Sequence, residues 1–315
     1  MLSAAQHEAV TSEAARPLQI LAGPGSGKTR VLTSRVAHLV RDSAAPIAPE
    51  RCVVVTFSNR AANEMRARLE TMIGADRTRR LVLGTFHAVC VRFLRRWGTR
   101  LGLDPRFTIA DTDDARRLLR DVDRDAPVDA TLAAISRAKA HGWTPDELRA
   151  SAQHAPGSPA HTEHLALCRT YAAYQQQLRT SHALDFDDLL LLGVRLFREH
   201  PELTTHIDHV LVDEFQDTNA VQYELLRRLS RHVSVVGDPD QSIYSWRHAD
   251  VRHIERMHLD FPGLHRVLLE ENYRSTPQIL EAALRVMQQD PHRLPKGLYT
   301  ALASGPPVSV VACHD

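Results

Sequence analysis

The chain has little of what marks several classes of protein. It has four cysteines among 315 residues, Cys52, Cys90, Cys168 and Cys313, which stand far apart with no Cys-x-x-Cys spacing. This arrangement excludes a zinc cage and a disulfide framework, so we expect buried thiols. No apolar run approaches the roughly 20 residues that cross a bilayer, and the first residues lack the apolar stretch of a signal peptide. We therefore expect an intracellular protein.

The chain also lacks an excess of either charge. Its 39 basic and 38 acidic residues give a formal net charge of +1. That total shows no strongly basic protein of the kind that wraps nucleic acid, and it leaves a local basic patch open. Histidine is frequent, at 18 residues, but pairs such as His161 and His164 have no supporting carboxylates at ligand spacing. We expect no metal site there.

What the chain does have is enough sequence for about two domains. Its hydrophobic residues, at 43%, and charged residues, at 24%, are ordinary for a globular protein. Short apolar runs alternate with helical patterns in the first hundred residues, which predicts an α/β fold with a parallel sheet. Strands are expected over 18–22, 52–57 and 81–85, and the same pattern returns at 210–212, 233–237 and 267–269.

The region from about Arg100 to Ser181 is different, because it is helical in pattern with almost no strand-like runs. Helices are expected over 113–122, 129–140 and 163–178, with a short strand over 107–110. We therefore predict a first domain over 1–99 and 182–276, interrupted by a helical subdomain over 100–181. Residues 277–315 would begin another domain, with a helix over 278–287 and a first strand over 308–312.

A glycine-rich turn with a lysine follows the first predicted strand and opens a helix. Its glycines let backbone N–H groups surround phosphate oxygens, Lys28 reaches the β- and γ-phosphates, and Thr29 offers a hydroxyl to Mg²⁺. Ala22 replaces the first glycine of the strict motif. The alternative is a glycine-rich loop without function, and the succession of strand, turn, lysine and helix argues against it. The expected phosphate-binding residues are Ala22, Gly23, Pro24, Gly25, Ser26, Gly27, Lys28 and Thr29.

An acidic pair, Asp213 and Glu214, follows the predicted strand at 210–212. A phosphate-binding loop needs a carboxylate to hold Mg²⁺ and a group that polarises the attacking water. We expect Asp213 to bind the metal together with Thr29, and Glu214 to polarise the water. An acidic pair after a strand also arises by chance, and the partnership with Lys28 favours the functional interpretation.

Several further segments resemble the superfamily 1A DNA helicases of the UvrD, PcrA and Rep type, in the family's order over about residues 1–276. The resemblance implies a RecA-like P-loop sheet flanked by helices (1A), an inserted all-helical subdomain (1B) and the start of a second RecA-like domain (2A). Residues 19–39 are especially similar to fungal anti-recombinase members. The matching segments are Gln6, 54–65 (VVTFSNRAANEM), 84–87 (GTFH), 184–189 (LDFDDL), 213–218 (DEFQDT), 236–247 (VGDPDQSIYSWR) and 269–275 (LEENYRS).

The same resemblance implies ATP and Mg²⁺ as ligands. Gln6 would read the adenine and Tyr273 would stack on it, while Gln241 would sense the γ-phosphate and Arg274 would contact it. For each aromatic residue expected at DNA, namely Phe57, Phe186, Tyr244 and Trp246, the alternative is packing in the core. Arg92, Arg95, Arg96 and Arg100 either contact phosphates or form a solvated face. Single-stranded DNA would be bound, with bases stacked on the aromatic rings, by Phe57, Asn59, His87, Phe186, Tyr244, Trp246 and Arg247.

Members of the family carry a second RecA-like domain whose arginine completes the ATP site, and this sequence stops at Asp315, barely inside it. We therefore expect part of a 3′-to-5′ DNA helicase or translocase, acting on single-stranded DNA and its junctions with duplex in repair, replication or recombination control. Its ATP hydrolysis would be weak without the C-terminal half. The compartment would be the nucleus in a eukaryote, or the cytoplasm and nucleoid in a bacterium, with no membrane partner.

Two other functions remain open at this point. One is a non-motor module that binds single-stranded DNA or a protein partner with little ATPase activity of its own. The other is the ATPase part of a helicase-nuclease.

Overall fold

The computed structural model describes residues 1–151, 157–230, 232–243, 250–289, 296–309 and 311. It is an α/β fold with a mostly parallel sheet flanked by helices, as the sequence predicts. The strands are β1 (Leu18–Ala22), β2 (Cys52–Thr56), β3 (Val82–Thr85), β4 (Thr108–Ile109), β5 (Ala183–Leu184), β6 (His209–Val212), β7 (Val233–Gly237) and β8 (His265–Leu269).

The helices begin at recognisable caps. Ser58 accepts a hydrogen bond from the N–H of Ala61 at the start of the helix Asn59–Ile73, and Asp185 forms a capping box with Asp188 at the start of the helix Phe186–Glu199. The helices are α1 (Ala4–Thr11), α2 (Lys28–Ala37), α3 (Asn59–Ile73), α4 (Ala75–Arg80), α5 (Phe86–Trp97), α6 (Thr112–Val122), α7 (Val128–Ala140), α8 (Pro145–Ala150), α9 (Pro159–Thr180), α10 (Phe186–Glu199), α11 (Ala220–Leu229), α12 (Arg252–Asp260) and α13 (Pro277–Met287).

The larger sheet has the strand order β3-β2-β6-β7-β1-β8. The pairs β1–β7, β1–β8, β2–β6 and β6–β7 are parallel. Strands β1, β2, β6 and β7 are buried at every residue, because helices cover both faces of a parallel sheet. The carboxyl ends of these strands lie at one edge of the sheet, which is where ligands bind in open α/β folds.

The chain divides into two compact units. The first comprises Met1–Leu83, His206–Thr218 and Ser230–Asp315, and a cluster that includes Ile20, Leu32 and Val54 forms a core there. The second comprises Gly84–Thr205 and Asn219–Leu229. A mainly helical cluster in it is built around tyrosine and leucine side chains, namely Leu119, Tyr171, Tyr174 and Leu178. The domain boundaries expected from the sequence stay a prediction.

One predicted strand is wrong in the part that the structure describes. Val308, Ser309 and Val311 have no regular secondary structure, and Val308 and Val311 are 53% and 79% exposed. An apolar run becomes a strand only when a neighbouring strand pairs with it and a surface covers its side chains. Neither condition is met at these three residues, and the rest of 308–312 lies outside the described residues.

Cys52, Cys90 and Cys168 are buried free thiols, as expected, while Cys313 lies outside the described residues. Burial raises the pKa of the Cys52 and Cys90 thiols to about 12. In the described ranges, no group of three or more His, Cys, Asp or Glu side chains has the arrangement of a metal site. No helix there is both long and apolar enough to cross a membrane.

Candidate functional site

The glycine-rich turn connects the end of β1 to the start of α2. Gly25 and Gly27 have φ angles of 68° and 87°, the left-handed region that a side chain disfavours. Gly27 is the N-cap of α2 and brings no side chain to cap it. The N–H groups of the first turn are therefore available to an anion, and the helix dipole adds partial positive charge there.

Asn272, just after β8, holds this turn from outside. Its Nδ2 donates to the carbonyl of Pro24 at 2.7 Å, and its Oδ1 accepts hydrogen bonds from the N–H groups of Arg274 and Ser275. The N–H of Tyr273 donates to the carbonyl of Gly25 at 3.0 Å. The sequence pattern points to no role for Asn272, although it lies inside a recognised segment. Its side chain ties the loop after β8 to the phosphate-binding turn.

Lys28, which follows β1, contacts one residue after β6 and one residue after β7. Its Nζ lies 3.6 Å from Glu214 Oε2 and donates a hydrogen bond to Gln241 Oε1 at 3.2 Å. The Lys28 side chain is only 12% exposed, whereas that of Glu214 is 35% exposed. Glu214 follows β6 and Gln241 follows β7, so the sheet order places their side chains at the phosphate-binding turn. The structure thus brings the predicted lysine and acidic pair together.

Asp213 is the buried member of the acidic pair, 5% exposed at the end of β6. Its Oδ1 accepts a hydrogen bond from the N–H of Glu214 at 3.1 Å. Burial and then the Glu214 charge raise the pKa of Asp213 to about 7, while Lys28 lowers it. A bound divalent cation would relieve both effects. The donor set fits Mg²⁺, which takes one or two carboxylates and completes its shell with phosphate and water oxygens.

Glu214 adopts a left-handed backbone conformation, with a φ angle of 49°. A residue other than glycine pays a steric cost in this region, and such conformations are concentrated at functional sites. The turn points Glu214 toward Lys28 while Asp213 stays buried. Thr29, the other expected metal ligand, is half-buried in the first turn of α2.

A network of side chains extends from this acidic pair. Gln216 Nε2 donates to Glu214 Oε2 at 2.9 Å, and Gln216 Oε1 accepts the N–H of Asp238 at 2.9 Å. Gln241 Nε2 donates to Asp238 Oδ2 at 2.5 Å. Lys296 pairs with Asp238 as well. Lys296 lies in a segment without a recognisable motif, so no sequence signal identifies it.

The residues expected at the adenine lie at α1 and after β8. Gln6 is buried, and its Nε2 donates to the carbonyl of Ser26 at 2.9 Å. Tyr273 is 46% exposed, and its hydroxyl donates to Glu271 Oε2 at 2.6 Å. Burial and the Glu271 hydrogen bond raise the pKa of Tyr273, while a hydrogen bond with Ser3 at the start of α1 lowers it. Gln6 lies in the first turn of α1, Tyr273 adjoins that turn through Ser3, and Arg274 next to Tyr273 is exposed.

The residues expected at DNA are only partly described. Phe57 is half-buried after β2, and Asn59 is exposed at the start of α3. In the second unit, the rings of His87 and Phe186 meet edge to face, 6.0 Å apart. Phe186 is 51% exposed, which argues against the core-packing alternative for it. Three other residues lie outside the described residues, namely Tyr244, Trp246 and Arg247.

In the basic cluster, Arg95 and Arg96 lie on α5 and Arg100 follows the helix, and these three have partners within their own unit. The Arg95 guanidinium lies 5.7 Å from the centre of the Phe107 ring, and that of Arg96 lies 4.8 Å from the Trp97 ring. Arg100 forms an ion pair with Glu202. These contacts favour the solvated-face interpretation for the cluster.

Together, the parallel sheet and the lysine-bearing turn define the class of protein: an α/β P-loop domain of the RecA-like type. The family model described as UvrD/REP helicase N-terminal domain matches residues 2–262. The chain therefore belongs to the UvrD/REP helicase family, which confirms the resemblance seen in the motifs.

The relatives are longer proteins. The "ATP-dependent DNA helicase PcrA" of Leuconostoc citreum is 41% identical over 303 residues, which cover 92% of this chain and 39% of the relative. The proteins of the same name from Staphylococcus epidermidis and Staphylococcus aureus are each 40% identical, over 96% and 95% of this chain and 42% of the relative. The chain thus spans 39–42% of the length of these relatives. The likeness of residues 19–39 to fungal members stays an expectation.

Proposed function

We propose that this chain is the ATP-binding half of an ATP-dependent DNA helicase or translocase that acts on single-stranded DNA. The observation that carries the proposal is the meeting of Lys28 with Glu214 and Gln241, at 3.6 Å and 3.2 Å. A triphosphate held by the turn before α2 would meet all three side chains. The names of the relatives support this activity, and the 3′-to-5′ direction rests on the family resemblance alone.

In the proposed reaction, a water molecule attacks the γ-phosphorus and the bond to the β–γ bridging oxygen breaks. Glu214 takes the proton from that water, and Lys28 stabilises the charge on the phosphate oxygens. Asp213 and Thr29 would hold Mg²⁺, which neutralises charge on the β- and γ-phosphates when it is bound. Arg274 and Gln241 would contact the γ-phosphate, and Gln6 and Tyr273 would bind the adenine.

The contacts of Lys28 indicate how binding of a triphosphate would change the contacts of Glu214 and Gln241. The ammonium is shared between the Glu214 carboxylate and the Gln241 amide oxygen. A triphosphate carries more negative charge than either group and would draw Lys28 toward itself. Glu214 would then be released to act on water, and the Gln241 Nε2 N–H that does not bond Asp238 would donate to the γ-phosphate.

Single-stranded DNA would lie against the exposed aromatic residues, among them Phe186. Stacking on aromatic rings tolerates any base sequence, which a protein that moves along DNA requires. Phe57, Asn59, His87, Tyr244, Trp246 and Arg247 complete the proposed set of contacts. Junctions between single- and double-stranded DNA are the proposed substrates, in repair, replication or recombination control.

Substitution of the P-loop lysine and the acidic pair tests this proposal. In this chain, Lys28→Ala should weaken binding of a fluorescent ATP analogue by about 10-fold or more, because a charged phosphate contact is lost. In a protein extended to the length of its relatives, Glu214→Gln should abolish DNA-stimulated ATP hydrolysis while ATP still binds. Hydrolysis that is indifferent to both substitutions would overturn the motor function.

The same measurements separate the two alternatives. A non-motor module would bind single-stranded DNA equally well with Lys28→Ala and would show no DNA-stimulated hydrolysis at full length. The ATPase part of a helicase-nuclease would show the stimulated hydrolysis together with cleavage of DNA.

A further inference from the structure

Lys296 is a buried lysine whose ammonium is held between two carboxylates after β7. Its side chain is 1% exposed, and Nζ pairs with Asp238 and lies 3.1 Å from Asp240 Oδ2. The Asp238 side chain is completely buried. A buried carboxylate that loses its cation is strongly destabilised, so Lys296 stabilises the Asp238 carboxylate in its place.

Asp238 in turn fixes the orientation of the Gln241 amide. Asp238 Oδ2 accepts the hydrogen bond from Gln241 Nε2, and its Oδ1 accepts the N–H of Asp240 at 3.2 Å. Because one N–H of Gln241 Nε2 is held by Asp238, Gln241 Oε1 faces Lys28, and the second N–H of Nε2 would donate to a γ-phosphate. A continuous set of contacts thus runs from Lys296 through Asp238 and Gln241 to the P-loop lysine.

The backbone around Lys296 is held by contacts that do not involve its charge. The N–H of Gly297 donates to Glu270 Oε1 at 2.6 Å, and Tyr299 exchanges backbone hydrogen bonds with Glu270 and Asn272. Leu298 packs so close to Gly23 that a methyl group there would overlap it. Substitution of the lysine alone should therefore leave residues 296–299 in place and remove only the cation.

We propose that Lys296 is a positioning residue which, through Asp238, holds Gln241 in the orientation that distinguishes a nucleoside triphosphate from a diphosphate. The inference rests on the proposed function, because it assigns Lys296 to the same nucleotide site. It also gives residues 296–299 a role in that site, since the segment contacts both the Gln241 loop and the start of the phosphate-binding turn.

The test is the ratio of two affinities, for a non-hydrolysable ATP analogue and for ADP, measured with Mg²⁺ on this chain. Lys296→Met should lower the preference for the ATP analogue by about 10-fold, the worth of one hydrogen bond to a charged group. Affinity for ADP should change by less than about 2-fold, because no contact of the ADP phosphates is altered. Lys296→Arg, which keeps the cation, should retain most of the preference.

A matched control separates positioning from a general loss of stability. Lys139 is also a buried lysine between two carboxylates, with Nζ 2.6 Å from Asp185 Oδ2 and 2.8 Å from Asp188 Oδ1 in the second unit. Lys139→Met removes the same kind of ion pair and should leave the ratio unchanged. If both lysine variants change the ratio equally, the effect comes from destabilisation and the inference is overturned.

A double-mutant cycle tests the route through Gln241. If Lys296 acts through Gln241, then Gln241→Ala with Lys296→Met should show the same ratio as Gln241→Ala alone. If the double variant instead loses the preference for the ATP analogue by the product of the two single-variant factors, Lys296 acts independently of Gln241 and the inference is overturned. If Lys296→Met does not fold, Asp240→Asn replaces it in the test. Asp240→Asn should lower the preference for the ATP analogue over ADP by about 3-fold.

Failure of this inference can be distinguished from failure of the proposed function. If Lys28→Ala weakens binding of the ATP analogue and Lys296→Met leaves the ratio unchanged, only the role of Lys296 is lost. If Lys28→Ala has no effect on nucleotide binding, the nucleotide site itself is wrong.

Discussion

At the scale of single residues, the adjacent carboxylates Asp213 and Glu214 have different environments. Asp213 is buried, and its raised pKa follows from lost solvation and from the neighbouring negative charge. Glu214 is partly exposed beside Lys28 and adopts a left-handed conformation. This arrangement costs stability in the free protein, and such costs are usual at sites that must later bind a cation or react.

We expect Asp213→Asn to stabilise the metal-free chain at pH 8 by about 1–3 kcal/mol. The carboxyl has a pKa of about 3.9 in an unfolded chain and about 7 in the folded one. Its contribution to stability is therefore present in full below about pH 4 and is lost as the pH rises to 7. Urea unfolding of both proteins at pH 5 and pH 8 measures the effect.

The gain from Asp213→Asn should be larger at pH 8 than at pH 5. Asp76→Asn is the control, because the Asp76 side chain is 89% exposed and its change should matter little at either pH. Equal gains at both pH values, or a loss at pH 8, would show that burial of the charge does not destabilise this site.

Phe186 has the exposure of a binding residue rather than a core residue. Phe186→Ala should weaken binding of an oligothymidine by about 5- to 100-fold, since one base loses its stacking partner. The free energy of unfolding should stay within about 0.5 kcal/mol of the original. Fluorescence anisotropy on the extended protein and thermal melting of this chain measure the two quantities.

Phe197, on the same helix, provides the contrast. It is 2% exposed and lies 5.3 Å from the Phe93 ring, so Phe197→Ala should cost about 3–5 kcal/mol of stability. If Phe186→Ala destabilises the chain to a similar extent, Phe186 is a packing residue after all.

At the scale of elements, helix α1 is held to the sheet by one buried arginine. Arg35 Nη1 donates to the carbonyls of Ala9, Val10 and Ser12 at the end of α1, at 2.9–3.2 Å, and Nε donates to Ser234 Oγ. Burial lowers the pKa of Arg35 to about 10, which leaves it charged at neutral pH. The arginine satisfies carbonyls that a helix end leaves without partners.

Arg35→Leu should therefore cost about 3 kcal/mol or more, because several buried carbonyls lose their donor. Hydrogen exchange should become faster in α1 than in β1, and affinity for the ATP analogue should fall because α1 carries Gln6. Arg16→Leu is the control, since Arg16 is exposed and donates to a single carbonyl, that of Gly263. Equal costs for the two substitutions would contradict this account of α1.

The bounds of a helix or strand follow from the sequence where burial or a cap defines them. Strand β7 has the predicted bounds, because a buried parallel strand is visible as an apolar run. Helix α9 begins at Pro159, four residues before the expected start, since Ser158 caps it and proline is well tolerated in a first turn. Strand β4 has two residues, fewer than predicted, because its length depends on β5.

At the scale of the whole molecule, the chain spans 39–42% of the length of the relatives that it matches. An arginine supplied across a nucleotide site from another domain is worth roughly 10³ to 10⁵ in rate. We therefore expect this chain alone to bind ATP and to hydrolyse it slower, by about that factor, than a protein extended to the relatives' length. Steady-state phosphate release with and without single-stranded DNA measures the difference. Equal rates would show that the site within this chain is already complete.

The residues proposed to touch a nucleotide or a metal are predictable from the sequence alone, because each lies in a short run of specific composition. The glycines that precede Lys28, and the two carboxylates that directly follow an apolar strand, are neighbours in the sequence, so a short motif is enough to identify them. The exposure of Phe186 cannot be predicted from the sequence, because a phenylalanine there is equally compatible with packing in the core.

The contacts that hold those residues in place can be identified only in the tertiary structure. Asn272 reaches Pro24, Arg35 reaches the end of α1 and Lys296 reaches Asp238, and the partners are 248, up to 26 and 58 positions apart. No local pattern encodes such pairs. Asp238 and Asn272 come to one edge of the sheet because β7 and β8 lie on either side of β1. Arg35 reaches the end of α1 because α2, which carries it, packs against α1.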